Sequence, residues 1–327
     1  MMTHPVAARG QPRKYPFVNM RIADHSVLDT IEGRQSCQHC NRSRKFFCYN
    51  CYIPVGELGS LLPSVELPLQ IDIIKHKKEI DGKSTAVHAA VLAPHQVRIH
   101  TYPDIPDYRL EEAGVVLIFP SATSLTVPQL FARDVHLNID DNYGLPKGHH
   151  MGTMLRRRMD EVVGTAPDSP DSISCKRYTC DTLPIKRAVF IDSTWNQSRS
   201  IYADERVRGL RTVVLQNRLS QFWRHQRGSP RWYLATIEAI HQFLLEVHVN
   251  AWGLNGAYRG LDNLEITDGF HQLAKPLTTS EAPAECVTPE SPYNGQYDNL
   301  LYFFANMYDL IHKYYDHNEL ISYRRPI

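Results

Sequence analysis

Ala188-Val189-Phe190-Ile191-Asp192-Ser193-Thr194-Trp195-Asn196-Gln197-Ser198-Arg199 is the stretch on which the fold turns. It begins as a short apolar run and ends in acidic, hydroxyl and amide side chains. An uninterrupted apolar run reads as a strand covered on both faces, the habit of a parallel sheet between helices. The polar residues that follow mark the strand's carboxyl end and the start of a helix. In open α/β sheets that junction is where ligands bind. Asp192 is therefore a candidate catalytic residue. It is equally a candidate for capping the next helix, a task open to Ser193 or Thr194 as well.

Segments of the same kind lie on either side. Leu67, Leu69, Ile71 and Ile73 alternate with other residues, the period of a strand. Residues 87–93 form a short apolar run, 115–119 a purer one that ends at Pro120-Ser121, and 211–215 another. These are expected to be strands. Helices are expected over 194–207, over 232–249 with Ile237, Ile240, Leu244 and Val247 in phase, and over 299–315 with Leu300, Phe304, Met307, Ile311 and Tyr314. Those stripes read as core. Residues 168–174 and 278–293 are rich in Pro, Ser and acidic side chains and are expected to be mobile loops. No internal repeat is visible. The pattern predicts one α/β domain preceded by a small Cys-rich unit.

The chain of 327 residues is long enough for a sizeable core, with 43% hydrophobic and 22% charged residues. Its net charge of +1 excludes a globally basic binding surface, so any nucleic-acid affinity must come from local patches. No apolar run approaches the roughly 18 residues of a membrane span. The opening residues lack the apolar core of a secretory signal. Residues 1–30 are expected to be a poorly ordered tail, 31–60 a metal-binding unit, and 61–327 the main domain.

Four of the seven cysteines are grouped as Cys37-x-x-Cys40 and Cys48-x-x-Cys51. Each pair can form a knuckle that turns two thiolates to one point, and two knuckles complete a tetrahedral zinc site. Four thiolates leave no open position, so the site reads as structural. Two disulfides or a redox pair are the alternatives. Arg42, Arg44 and Lys45 lie between the knuckles, as phosphate contacts or as a solvated loop.

Residues 216–232 carry Arg218, Arg224, His225, Arg227 and Arg231, interleaved with Phe222, Trp223 and Trp232. Cations beside aromatics suit phosphate contact with base stacking. The alternative is a solvated loop with packed tryptophans. Arg156, Arg157 and Arg158 form a second, weaker patch, and His149-His150 reads as loop.

Asp192-Ser193-Thr194-Trp195 resembles the signature of the DTW-domain family, and other elements fall in matching order. These are the double Cys-x-x-Cys, His76-Lys77-Lys78-Glu79, Phe119-Pro120-Ser121 and Leu234-Ala235-Thr236-Ile237-Glu238-Ala239. Many members have Pro after the His, where this chain has Lys77, which leaves His76 and Glu79 without an assigned role. The resemblance covers about residues 34–251. It implies a SPOUT-like domain, a parallel sheet whose C-terminal part is threaded into a trefoil knot, a rare topology. It also implies a tRNA-uridine aminocarboxypropyltransferase in a soluble, intracellular setting. Such an enzyme moves the 3-amino-3-carboxypropyl group of S-adenosylmethionine to N3 of a uridine, in the D-loop for animal-type members, and releases methylthioadenosine.

On this reading Asp192 is the general base or the ligand of the cofactor's amino group. Phe119, Pro120, Ser121, Thr194, Leu215, Leu234, Thr236 and Ala239 line the cofactor site. Trp195 stacks on the target uracil or adenine, or packs in the core. Glu238 binds a ribose hydroxyl or caps a helix. Arg218, Trp223, Arg224, Arg227 and Arg231 meet tRNA. A monomer is expected, in the nucleus or shared between nucleus and cytosol. The alternatives are a SPOUT-type RNA methyltransferase and a non-enzymatic zinc-containing RNA-binding module.

Overall fold

The computed structural model describes residues 14–110, 114–131, 178–215, 218–226, 229–264, 290–316 and 320–325. The loop at 168–174, most of that at 278–293, His149, His150, Arg156, Arg157, Arg158 and Arg227 lie outside the described residues. So does the side chain of Trp195.

A two-residue antiparallel ladder, β1 (Gln35–Ser36) with β2 (Ser43–Arg44), belongs to the cysteine unit. The main sheet contains β3 (Gln70–His76), β4 (Val97–Tyr102), β5 (Val115–Ile118), β6 (Arg187–Asp192) and β7 (Arg211–Val213). Its strand order is β4-β3-β6-β5-β7, and every pairing is parallel. The expected parallel sheet is therefore present, and the strand ending at Asp192 is its centre.

Alternation along the strands divides the interior in two. Ile71 and Ile73 of β3, with Ala188 and Phe190 of β6, face the larger core. That side is covered by α1 (Ala86–Leu92), α2 (Val127–Phe131), α5 (Thr236–Trp252) and α6 (Tyr302–Tyr314). Ile74, Leu117 and Val189 face a smaller cluster under α3 (Trp195–Tyr202) and α4 (Glu205–Arg208), through Ile201 and Val207. Burial on both faces explains why the central strands are unbroken apolar runs.

Several elements differ from the sequence reading. Residues 87–93 form helix α1 instead of a strand. All seven residues of α1 are buried, so its sequence carries no amphipathic period to distinguish helix from strand. The single helix expected over 194–207 is broken, because Asp204 accepts from the Arg206 N–H and starts a new turn. Residues 14–30 are not a loose tail, since Phe17, Met20 and Leu28 are buried in the main core. Phe17 packs edge-on against Tyr308 at 5.2 Å and Phe304 at 6.2 Å. Three irregularly spaced anchors give no periodic signal. Among the described residues no helix is long and apolar enough to cross a membrane.

Helix α5 is buried nearly all round, and its polar residues are paired inside the protein. Asp298 accepts from the Tyr293 hydroxyl at 2.7 Å, the Tyr258 hydroxyl at 2.6 Å and the Arg21 N–H at 2.7 Å. His241 completes the set, with Nε2 3.2 Å from Asp298 and Nδ1 3.0 Å from an Arg218 nitrogen. A guanidinium only donates, so Nδ1 accepts and Nε2 carries the proton toward Asp298. Gly295 is needed beside this network, because it has φ +90° and a Cβ would stand 2.8 Å from an Asp298 carboxylate oxygen.

Candidate active site and metal unit

Asp192 is the last residue of β6 and sits on the larger-core face, in register with Lys75 at the end of β3. Its carboxylate is 6% exposed. Oδ2 accepts from the Ser84 hydroxyl at 2.7 Å, just before α1. Oδ1 accepts from the Thr236 hydroxyl at 2.6 Å, the first residue of α5. Thr85 ties the two helix starts together by accepting from the Ile237 N–H at 3.2 Å. The carboxylate thus lies where two helices begin, in a field that favours negative charge. The capping alternative fails for Asp192, because its oxygens are committed to α1 and α5. Thr194 holds the N-cap of α3, and its N–H donates to Gln197 at 3.1 Å.

Burial raises the pKa of Asp192, and the hydroxyls of Ser84 and Thr236 and the charge of Lys75 only partly oppose it. Lys75 is itself buried, with Nζ 2.5 Å from an Asp81 oxygen. Burial alone would lower its pKa, but Asp81, Tyr52 and Asp192 together outweigh it and the net direction is upward. Glu79 closes the same corner, its pKa raised by burial and then by the Asp192 charge. His76 forms the turn between them, with Nδ1 accepting from the Lys78 N–H at 3.2 Å and its carbonyl from Glu79 at 2.8 Å. Sequence reading missed Lys75, Asp81 and Ser84. Their only signal was position, on the strand and turn that flank β6.

The expected cofactor residues share the carboxyl edge of the sheet. Phe119, Pro120 and Ser121 follow β5, Leu215 follows β7, and Leu234, Thr236 and Ala239 surround the start of α5. Phe119 is buried and stacks on Tyr202 at 4.5 Å, so its ring is a wall behind the edge. Ser121 is fixed by Thr212 at 2.6 Å and Ser124 at 3.0 Å. Glu238 is fully buried and accepts from Ser220, from the Gln221 N–H and from the Ala235 N–H, so it caps α5 and pins the preceding loop.

Most of the expected RNA residues of 216–232 are interior. Arg218 and Arg231 are 2% and 3% exposed, and Trp223 packs on Phe304 at 5.1 Å. Arg218, Trp223 and Arg231 lie on the path between the edge strand β7 and the start of α5, packed against the larger core. Arg224 is half-buried, facing the Gly82 carbonyl and Glu79.

The four cysteine sulfurs lie within 4.8 Å of one another. Tetrahedral zinc with bonds of about 2.3 Å sets sulfurs about 3.8 Å apart. Cys40 and Cys48 sulfurs are 3.5 Å apart, too far for the roughly 2.05 Å of a disulfide, and all four thiols are free. The knuckles repeat each other. Asn41 donates to the Cys37 carbonyl and Tyr52 to the Cys48 carbonyl, each at 2.9 Å. Asn41 and Tyr52 have φ of 55° and 58°. Burial opposes a Cys48 thiolate, but the N–H groups of Asn50 and Cys51 and the side chains of Cys40 and Cys37 bring its pKa down to about 6, while burial and the neighbouring cysteines push Cys51 up. The donor set fits a structural zinc ion held by Cys37, Cys40, Cys48 and Cys51.

Fold and site together define a parallel α/β protein with a buried strand-end carboxylate and a four-thiolate metal unit. A family model for the DTW domain matches residues 45–312. Curated relatives named tRNA-uridine aminocarboxypropyltransferase 1 align as well. The Mus musculus protein is 38% identical over 308 residues, covering 90% of this chain and 84% of that protein. The Homo sapiens protein is 36% identical over 312 residues, with the same coverage. The Xenopus tropicalis protein is 35% identical over 298 residues, covering 90% of this chain and 85% of that protein. No solved structure matches. The chain belongs to the DTW domain family, and these relatives are transferases by name.

Proposed function

We propose that this chain is a transferase that moves the 3-amino-3-carboxypropyl group of S-adenosylmethionine to N3 of a uridine in the D-loop of tRNA. The observation that carries this reading is Asp192, a buried carboxylate at the central strand end, in a chain whose relatives are named tRNA-uridine aminocarboxypropyltransferase 1.

When bound, S-adenosylmethionine supplies a sulfonium electrophile with a neutral thioether as leaving group. The protein must orient it and prepare the nucleophile. Uridine N3 carries a weakly acidic proton, and Asp192 is assigned to remove it. Each carboxylate oxygen has lone pairs beyond the one facing Ser84 or Thr236. The upward pKa direction makes Asp192 a stronger base than a solvated aspartate. As N3 bonds to the propyl carbon, the carbon–sulfur bond breaks and its electron pair stays on sulfur, giving methylthioadenosine. Selecting that carbon over the methyl is a matter of orientation. Residues at the carboxyl edge, from Ser121 to Leu215, Leu234 and Ala239, hold the nucleoside end, and Lys75, beside Asp192, faces the charged amino-acid end.

The knotted topology belongs to the same reading. It is supported by the return of the chain from edge strand β7 to Asp192 through residues 214–235. Incubating unmodified tRNA with the protein and S-adenosylmethionine, followed by mass spectrometry of the nucleosides, tests the function. An aminocarboxypropyl uridine is expected, and a yield at least about a hundredfold lower from the Asp192→Asn reaction.

A further inference from the structure

Arg218, Trp223 and Arg231 are inside the protein and offer the RNA backbone no surface, so exposed cations near Asp192 are the ones to weigh. The chain's net charge is only +1, so local distribution decides where. Residues 33–56 contain Arg34, Arg42, Arg44 and Lys45, and no aspartate or glutamate. Arg34, Arg42 and Lys45 are exposed. A divalent metal on four thiolates adds about two negative charges. Those sulfurs are buried or partly buried, while the cations stand outside them.

A second basic group follows β3. Lys77, Lys78 and Lys83 are exposed and make no ion pair among the described residues. Of the acidic residues of this turn, Asp81 is held by Lys75, and Glu79 is half-buried, facing the charges of Asp192 and Lys83. The two groups adjoin. Asn50 Nδ2 of the second knuckle donates to Asp81 at 3.4 Å, and a Cβ on Gly82 would touch the Tyr49 ring at 3.8 Å. Aromatics are interleaved, with Arg44 over the Tyr49 ring at 4.6 Å and Lys45 over Phe46 at 5.0 Å. The turn ends at Ser84, which donates to Asp192. A basic strip thus runs from the metal unit to the reacting carboxylate.

We propose that the four-cysteine unit and the turn at 77–83 form one docking surface for the phosphate backbone of the RNA, seating the target nucleotide over Asp192. This rests on the RNA-substrate reading above. The metal unit then serves substrate placement as well as folding.

Filter retention of an unmodified tRNA transcript by the full chain, over a salt series, tests it. The Lys77→Gln/Lys78→Gln/Lys83→Gln and Arg42→Gln/Lys45→Gln variants are each expected to weaken binding about tenfold or more. The salt slope should become shallower by about one for each phosphate no longer neutralised. Calorimetric affinity for S-adenosylmethionine should hold in both. Arg208→Gln, an exposed cation on the helix covering the other sheet face, should bind tRNA as the parent does. Unchanged tRNA affinity and slope in both multiple variants would overturn the surface. A parent protein that retains no tRNA at all would instead overturn the RNA reading, and this surface with it.

Discussion

Asp192 is the residue in which chemistry and stability oppose each other. Its raised pKa means that burial disfavours the ionised form. The folded state therefore holds this proton more tightly than the unfolded chain, and stability falls as pH rises from the ordinary aspartate value, about 3.9, through the raised one. Asp192→Asn removes that cost. Its melting temperature is expected to equal or exceed the parent's near pH 8, with the difference shrinking toward pH 4. Transfer should drop by roughly 10²–10⁴-fold, the usual contribution of a general base. Unchanged S-adenosylmethionine affinity in that variant separates the base role from a cofactor-binding role. Asp192 was legible in the sequence because a strand end followed by Ser-Thr-Trp is a recognisable junction. Ser84 and Thr236, its hydrogen-bonding partners, lie 108 and 44 residues away in the chain, and only tertiary structure joins them.

Among the elements, the gathering of Cys37, Cys40, Cys48 and Cys51 into one unit was readable, since ligand type and spacing state the geometry. It is expected to carry about one zinc per chain, and Cys48→Ser to lose that metal with a lower melting temperature, because binding energy is folding energy in such units. Metal analysis and a thermal melt measure both. Helix α5 was readable only in its apolar stripe. Its buried polar face is specified by partners far along the chain, and Asp298 shows how. Burial pushes the Asp298 pKa up, yet the His241, Tyr258 and Tyr293 contacts bring it below the ordinary value. Its contribution to stability is present above about pH 4 and lost as pH falls through the depressed value. Asp298→Ala is expected to cost about 3 kcal/mol or more, by stranding buried donors, and denaturant melts will show it. Helix α1 was misread because a fully buried helix and a fully buried strand share one apolar signature.

Across the whole molecule, the parallel sheet with helices on both faces followed from its unbroken apolar strands. The packing of residues 14–30 onto α6 did not, since three scattered anchors carry no period. Phe17→Ala is expected to cost about 3–5 kcal/mol, the range for removing a buried ring, as read in urea titrations. The burial of Arg218, Trp223 and Arg231 was equally hidden, because composition does not reveal which way a side chain faces. The basic strip beside Asp192 is exposed, and on the proposed reading the sheet presents one carboxylate to an RNA held from the metal-unit side. The most direct test uses S-adenosylmethionine labelled separately on its methyl and on its carboxyl carbon. On this account the parent protein is expected to place only the carboxyl label in tRNA, on uridine, and Asp192→Asn to place at least about a hundredfold less. Methyl label in the tRNA, or equal carboxyl transfer by Asp192→Asn, would contradict it.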